Sequence, residues 1–309
     1  MEWFDGYRDK DKFPPGRLTF LPVPDTTVRF ANLRSGQLKM VERLSPNDVA
    51  AAKADSKLTF AQVTGLGYQG LTFNIANGEK AKGPIGAKRE LRAALDLAID
   101  REVLNQVVSG GLNMVGNQPL PHTRPYYVAD RPIPKRDLAK AKEPVKASGV
   151  ANPGFTMLTP NTDIAKQAME VIQAMAKEAG IDIKLQMIEF VTMLQQTRDG
   201  NFDADYVGWS GRIDPDGNIS NLLSCKSADN DGRYCNQDVE KLLQEAQLST
   251  DPAIRKKSYD VAVRQILEDR PIIYLWHGTW LYAFTNKLKG FVPYPDGIVR
   301  LNGVTLDKS

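Results

Sequence analysis

The sequence predicts an α/β fold, and the clearest signals lie between residues 154 and 209. The segments "GFTMLT", "IDIKLQMI" and "ADYVGW" have the apolar content or the alternation of buried and half-buried strands. Residues 163–179 and "FVTMLQQTRDG" between them have helical periodicity, and Gly180 and Gly200 supply the stops. Strands that alternate with helices favour an α/β layer with largely parallel pairing.

Each remaining segment is assigned from its own periodicity and its capping residues. "GRLTFLPVP" predicts a half-buried strand, Asp25 caps a helix, and "LTFAQVT" and "YQGLTFNIA" predict two strands around a glycine-rich turn. A helix pair follows Lys88, with Asp100 as the second cap. In the helix over 163–179, we expect Ile164, Ala168, Val171, Ile172 and Met175 to face inward.

The second half of the chain contains one long connection and two further helices. Residues 109–153 are rich in Gly, Pro and Asn and predict an irregular connection, which compact domains keep mainly where it lines a site or crosses between lobes. Asn236 and Asp251 are candidate caps for the two helices. "PIIYLWH" and "LYAFTN" predict strands, and the C-terminal tail predicts short extended pieces.

Composition excludes several classes of protein. The 40 basic and 37 acidic side chains leave a net charge of +3, and no segment concentrates Lys and Arg as a nucleic-acid surface does. No apolar run has the length of a membrane span. The first residues, "MEWFD", lack the basic and apolar regions of a signal peptide, so we expect a cytosolic chain or one whose true N-terminus is missing.

Short motifs with catalytic or cofactor associations are weak here. "GLGYQG" matches a dinucleotide pattern but precedes a strand rather than a helix, so its glycines favour a tight turn. His122 and His277 are too few for most metal or triad chemistry and favour structural roles. "DPDGN" lacks the rest of a calcium loop and favours a turn. We therefore predict no catalytic residue, no metal and no cofactor.

Two features remain as candidates for a site. Cys225 and Cys235 flank a loop-like Ser/Asp/Asn/Gly run, and a disulfide is favoured over two unrelated thiols. Such a bridge would contribute roughly 2.7 kcal/mol and imply an oxidising compartment. The strand "ADYVGW" and the loop after it present Trp209, Arg212, Asp214 and Asp216 at the C-terminal end of the strand, where α/β domains place ligand sites. A solvated loop with one buried Trp is the alternative.

Several segments, taken in order, give the chain its resemblance to a family. "DTTVRFANLRSGQLKMVERLSPNDV" has a D-x-x-x-R-x-x-x-L-x-S-G pattern and then L-x-P, and "KRELRAALDLAIDREVLNQVV" has R-x-A-x-x-x-A-I-D-R-x-x-L. "GWSGRIDPDGN", the two cysteines, "NQDVEKLLQEA" and "KGFVPYPDG" follow. These motifs resemble the family of dipeptide-, oligopeptide- and nickel-type solute-binding proteins of ABC importers.

The resemblance implies a periplasmic-binding-protein-like (class II) fold, in which two α/β lobes close over a solute in a cleft. It implies a disulfide between Cys225 and Cys235. It places Trp209 at a ligand-lining tryptophan, and we expect Ser210, Gly211, Arg212, Asp214 and Tyr68 to contribute to the ligand site. In peptide-binding members, an aspartate shortly after this tryptophan holds the α-amino group.

Arg212 lies where that aspartate is expected. A guanidinium suits carboxylate or phosphate and repels an ammonium. We therefore expect a peptide-like or anionic solute with an anionic group near Arg212.

The family's N-terminal portion has no counterpart in this sequence. We predict that residues 1–76 and 281–309 are a remnant of lobe I with the crossover strands, and that residues 77–280 are a complete lobe II. Exposed edges of lobe I would favour dimerisation. The resemblance implies a periplasmic, non-enzymatic solute-binding component, with ABC permease subunits as its only link to the membrane. The alternative is a truncated paralogue that acts as a partner-binding scaffold without a solute.

Overall fold

A computed structural model of the chain describes residues 4–9 and 17–307, which divide into two compact units. The smaller unit comprises the described parts of residues 1–65 and 279–309, and the larger unit comprises residues 66–278. The sequence predicted divisions after residues 76 and 280, whereas the packing of the chain divides it after Gly65 and Gly278. The assignment of the units to the lobes of the family stays a prediction.

The secondary structure alternates between helices and short strands. Within residues 4–9 and 17–307 the α-helices are α1 (Thr26–Arg34), α2 (Val49–Ala54), α3 (Pro84–Ala87), α4 (Arg89–Ala98), α5 (Arg101–Ser109), α6 (Leu138–Ala147), α7 (Asp163–Glu178), α8 (Phe190–Arg198), α9 (Asp216–Leu223), α10 (Gln237–Leu248) and α11 (Pro252–Asp269). The strands are β1 (Met40–Glu42), β2 (Leu58–Thr64), β3 (Tyr68–Phe73), β4 (Met114–Val115), β5 (Gly154–Pro160), β6 (Asp182–Ile188), β7 (Ala204–Trp209), β8 (Ile272–His277), β9 (Thr279–Thr285), β10 (Leu288–Lys289) and β11 (Thr305–Leu306).

The smaller unit is built on an antiparallel sheet of order β1-β9-β2, with a separate β10-β11 ribbon. Tyr282, Phe284 and Phe291 form its aromatic cluster, with edge-to-face ring contacts at centroid distances of 5.2 and 5.4 Å. Such contacts add modestly to the apolar area that the rings bury. The cluster gives this unit a core of its own.

The larger unit is built on a six-stranded sheet of order β4-β8-β3-β7-β5-β6. Strands β5, β6 and β7 are joined through helices and pair in parallel, whereas β3 pairs antiparallel with both β7 and β8. The parallel pairing expected for the strands between residues 154 and 209 is therefore confirmed, and the strands at which the chain enters and leaves the unit pair antiparallel. The chain enters the unit through β3 and leaves it through β8, and a chain that enters and leaves at one end needs two strands of opposite direction.

Each face of this sheet is covered by its own set of helices. One face packs Leu71, Phe73 and Leu275 against residues of α4, α5 and α7. The other face packs Tyr68 and Tyr274 against α9, α10 and α11. Since side chains alternate along each strand, β3 and β8 contribute to both cores. The second face carries the candidate site.

Several helix starts follow from caps that the sequence predicts. The carboxylate of Asp100 accepts hydrogen bonds from the backbone N–H groups of Glu102 and Val103. The side chains of Asn236 and Asp251 accept bonds in the same way at the starts of α10 and α11. These predicted caps are confirmed.

Four local predictions were wrong. The described residues of "GRLTFLPVP" form no strand beyond one bridge at Arg17, because its two prolines donate no backbone hydrogen bonds. Ile164 is 56% exposed, and Ala165 and Met169 are buried instead. Helix α6 lies inside the predicted irregular connection. The predicted turn "DPDGN" leads into α9, which buries Ile219 and Leu223.

Among the described residues, none of the helices combines the length and the apolar composition that crossing a bilayer requires.

Candidate functional site

A cavity of about 330 Å³ lies against the second face of the large sheet. Strands β3 and β7 form its floor, with Tyr68 opposite Trp209 and Thr72 opposite Asp205 across the pair. Val207 completes the run, because residues 205, 207 and 209 point to the same side of β7. The sequence predicted a ligand site at Trp209, the last residue of this strand, but it did not predict a role for the buried Asp205.

Helix α8 forms one wall of the cavity. The cavity is lined from this helix by Phe190, Leu194, Thr197 and Arg198. Their spacings of four, three and one residues keep them on one side of the helix. Phe190 is half-exposed, so the apolar part of this wall lies toward the solvent. Thr197 and Arg198 add polar groups at the other end of the helix.

The segment closed by the two cysteines forms an adjoining wall, where the Thr197 hydroxyl of α8 donates to Asp231. The structure contains the disulfide between Cys225 and Cys235, which confirms the favoured prediction. Asp229 and Asp231 lie within the closed loop and line the cavity. The disulfide thus holds in place a loop that presents two acidic residues to the site.

Three of the predicted ligand-binding residues line this cavity: Tyr68, Trp209 and Ser210. The indole N–H of Trp209 donates to the carbonyl of Gly217 at 2.9 Å, which fixes the ring. Tyr68 is buried and packs edge-to-face on Tyr274, with ring centroids 4.7 Å apart. Burial raises the pKa of Tyr68 well above its ordinary value, and Tyr274 and Asp205 add to the shift. Tyr68 is therefore a neutral hydroxyl at physiological pH.

The other three predicted residues, Gly211, Arg212 and Asp214, are not among those that line the cavity. Gly211 has a φ of +87°, and a Cβ there would overlap the backbone of Leu66 and Gly67. Its role in this unit is close packing of the loop on the start of β3.

Arg212 is exposed and is held by its own loop. Its guanidinium lies over the Trp209 ring, with Cζ 4.7 Å from the ring centroid. Nη1 donates to the carbonyl of Gly211 at 2.8 Å and to the Ser210 hydroxyl at 3.2 Å. Its backbone exchanges two 2.8 Å hydrogen bonds with the side chain of Asn218. The Arg212 side chain is thereby held beside the aromatic residue that lines the cavity.

Asp214 forms an ion pair within the unit. Its Oδ1 accepts from Arg255 Nη2 at 2.6 Å and from the backbone N–H of Asp216 at 2.9 Å. The hydrogen bond from Arg255 is the main cause that lowers the pKa of Asp214. The negative charge of Asp214 is therefore neutralised without a ligand.

Sequence reasoning missed Asp205, which is only 2% exposed in the middle of β7. Its Oδ1 has no hydrogen-bond partner. Burial, and then the neighbouring Asp231, raises the pKa of Asp205 well above its ordinary value. The available signal was the phase of the strand, because Asp205 shares the face of Val207 and Trp209.

Asp231 also lines the cavity and was also missed. Its Oδ2 accepts from the Thr197 hydroxyl at 3.0 Å, whereas Oδ1 has no partner. Burial raises the pKa of Asp231, and the Thr197 hydrogen bond and the charge of Arg198 partly oppose that shift. No pattern in "SADNDGRYCN" indicates which of its acidic residues turns inward.

Two asparagines after β3 tie the walls of the cavity together. The amide of Asn77 donates to the carbonyls of Thr197 at 3.1 Å and Asp231 at 2.9 Å. The buried amide of Asn74 donates to Phe202 O and to Asn77 O, both at 2.9 Å. These bonds join the end of α8, the disulfide loop and the start of β7, so the walls are positioned by one network.

The glycine-rich segment at residues 65–70 is a turn followed by a strand, as predicted. A Cβ at Gly67 would overlap the carbonyl oxygen of Trp209. Gly67 O also accepts from the ring Nδ1 of buried His277 at 2.7 Å. Burial lowers the pKa of His277 to about 4, although the Gly67 contact opposes it. His277 thus joins the entry and exit strands as a neutral imidazole.

Comparison with known proteins identifies a family. The sequence model of the family "Bacterial extracellular solute-binding proteins, family 5 Middle" matches residues 1–230 of the chain. The dipeptide-binding protein of Escherichia coli strain K12 is 26% identical over 315 residues, covering 98% of this chain and 57% of the relative. Heme-binding protein A of Haemophilus influenzae is 29% identical over 313 residues, covering 96% and 55%.

A solved structure shows the same relationship. The ABC transporter-associated periplasmic binding protein DppA from Helicobacter pylori, in complex with the peptide STSA, has a TM-score of 0.79 at 25% identity. The comparison covers 93% of this chain and 56% of DppA, so the chain spans little more than half the length of the relatives it matches.

The predicted resemblance and the periplasmic-binding-protein-like fold are both confirmed, and these relatives are binding proteins rather than enzymes. The chain therefore belongs to family 5 of the bacterial extracellular solute-binding proteins.

Proposed function

We propose that the chain is the solute-binding component of an ABC-type importer, or part of one. In this proposal it binds a small peptide-like solute in the cavity of its larger unit and delivers it to the permease subunits. The observation that carries the proposal is the cavity of about 330 Å³, which combines three aromatic side chains with convergent polar groups. Ligand sites have this size and composition, with volumes of about 300–1,000 Å³.

The proposed place of action is outside the cytoplasmic membrane, in the periplasm. The matched family is extracellular, and the disulfide between Cys225 and Cys235 is of a kind that persists in oxidising compartments. The chain covers 57% of the length of the dipeptide-binding relative. Solute transport and delivery to a permease are therefore proposed for the protein as a whole.

Arg212 is the proposed contact for an anionic group of the solute. Its exposed guanidinium is stacked on Trp209, and carboxylates are the groups that a planar guanidinium binds best. The variant Arg212→Asp should weaken binding of the retained solute, and Arg212→Lys should weaken it less. Unchanged affinity in Arg212→Asp would remove this part of the proposal.

The proposed function is tested by native mass spectrometry of the chain purified without added ligand and again after addition of a dipeptide pool. The expected result is a stoichiometric small-molecule adduct that Trp209→Ala loses. Leu248→Ala is the matched control, because Leu248 is an exposed apolar residue of the same unit that does not line the cavity. Retention of the adduct by Trp209→Ala, or no adduct under either condition, would contradict the proposal.

A further inference from the structure

The inner part of the cavity contains a buried carboxyl group without a counter-charge. Within the described part of the chain, no ion pair reaches Asp205, and its Oδ1 has no hydrogen-bond partner. A buried carboxylate in that state is costly unless a partner compensates it. Because Asp205 lines the cavity, a bound molecule can supply that partner.

A second carboxyl group faces the same space. Asp231 lines the cavity, and its Oδ1 is buried and also without a hydrogen-bond partner. The two groups interact, since the charge of Asp231 contributes to the raised pKa of Asp205. Two carboxyl groups that line one cavity, each with an unpartnered oxygen, offer acceptors to a donor that enters it.

We propose that Asp205 and Asp231 form a subsite for a positively charged nitrogen group of the solute, an ammonium or a guanidinium at the end of an aliphatic side chain. The inference rests on the proposed function, because it assigns one end of a solute that the cavity binds. The carboxyl pair would prefer a positively charged group of the solute, whereas Arg212 is proposed to contact an anionic one.

The rest of the cavity suits such a side chain. Phe190, Leu194 and Val207 line the space beside the carboxyl pair. Lysine and arginine side chains pack their methylene stems against apolar surface and present the charged end to polar groups. Asp205 at the floor and the apolar residues of α8 at the wall provide these two environments.

The charged groups around the pair favour a cation at Asp205 in particular. Tyr68 faces it from β3, Arg198 from α8, and Asp229 and Asp231 from the disulfide loop. The charges of Arg198 and Arg233 lower the pKa of Asp231, so this carboxyl has a partial counter-charge. The causes that shift the pKa of Asp205 include no positive group.

Binding of a cation should therefore be coupled to the release of a proton. Burial raises the pKa of both carboxyl groups, and a bound ammonium or guanidinium favours their charged forms, so binding should lower these pKa values and displace a proton from the pair. Affinity for a cationic solute should rise as the pH increases through the titration of the pair. A neutral solute of the same shape should show no such dependence.

The test is calorimetric titration of the purified chain with the dipeptides Ala-Arg and Ala-citrulline, which differ in the charge of one end group. We expect Ala-Arg to bind at least about tenfold more tightly, with proton release measured in two buffers of different ionisation enthalpy. Asp205→Asn should remove the difference. Asp203→Asn should preserve it, because Asp203 is an acid just before β7 that does not line the cavity.

Equal affinity for the two dipeptides, or a preference for Ala-Arg that survives in Asp205→Asn, would overturn the subsite. Binding without proton release would also overturn it, since Asp205 would then remain a neutral donor. If the chain binds neither dipeptide, the subsite fails, and the adduct test with Trp209→Ala decides separately whether solute binding stands.

Discussion

Strand β7, which ends at Trp209, and the loop that follows it both carry charged residues, but the fold provides partners for these charges in different ways. In the loop, Asp214 is paired with Arg255, whereas the Arg212 guanidinium donates to the carbonyl of Gly211 and the hydroxyl of Ser210, which do not neutralise its charge. In the strand, Asp205 is buried, and its Oδ1 has no partner. The loop carboxylate is therefore paired without a ligand, whereas the strand carboxyl group leaves one oxygen to be satisfied.

This difference separates a structural charge from a functional one. Charges that the fold neutralises cost little and add little to recognition. A carboxyl group that the fold buries without a partner is unfavourable for stability, and residues of that kind concentrate at binding sites. Substitutions in the backbone packing and the disulfide should therefore have larger effects on stability than substitutions of the individual charges.

The largest effect is expected at Gly67, which supports the loop. Gly67→Ala should lower the free energy of unfolding by about 3 kcal/mol or more, because the new Cβ would overlap the Trp209 carbonyl oxygen. Gly278→Ala is the control, since a Cβ there meets nothing within 4 Å. Chemical denaturation measures both, and equal stabilities would refute the close packing.

The disulfide comes next, because it constrains the wall that carries Asp231. Replacing Cys225 and Cys235 by serine should lower the free energy of unfolding by about 2.7 kcal/mol through the entropy of the opened loop. Treatment of the wild-type chain with a reductant should reproduce the effect and leave the serine variant unchanged. A loss well below 1 kcal/mol would indicate that Asn74 and Asn77 hold the wall without the bridge.

Asp205→Asn should stabilise the chain at neutral pH by about 1–2 kcal/mol, since it removes a buried ionisable group. The folded pKa of Asp205 is raised, so its contribution to stability is fully present below the unfolded value near 4 and is lost as the pH rises through the folded value. The advantage of the variant should therefore be smallest near pH 4 and largest near pH 7. Thermal unfolding across this range measures it, and an advantage that grows toward acid pH would contradict the assignment.

The smallest effect is expected at the paired acid of the loop. Asp214→Ala should lower the free energy of unfolding by less than about 1 kcal/mol, because the Asp214–Arg255 pair is partly exposed and screened by solvent. The effect should shrink further in high salt. A loss as large as that of the disulfide would show that the loop depends on this ion pair.

Most of the fold of the larger unit is predictable from local sequence. The strands and helices between Gly154 and Trp209 have strong periodicity, and Asp100, Asn236 and Asp251 carry recognisable caps. The antiparallel half of the sheet is not predictable in this way, because strand direction depends on where the chain enters and leaves the unit. Helix α9 is hidden by Gly217 and two asparagines, whose weak helix propensity is overridden by the burial of Ile219 and Leu223.

The candidate site is predictable only in part. The sequence identifies Trp209 and its neighbours, because aromatic and charged residues after a strand are conspicuous. It does not identify Asp205 as unpartnered, since that property depends on Thr72 and Asp231, which are distant in sequence. The inward position of Asp231 depends on the path of the disulfide loop and on its backbone bond to Asn77.

The measurement that tests the account most directly is hydrogen–deuterium exchange of the chain with and without Ala-Arg. The account predicts slower exchange in α8, in β7 and in the loop between Cys225 and Cys235, the three segments that bound the cavity. It predicts a smaller change in residues 213–216, where Asp214 is already paired with Arg255. Protection confined to residues 213–216, or no protection in the larger unit, would contradict a solute site at Asp205.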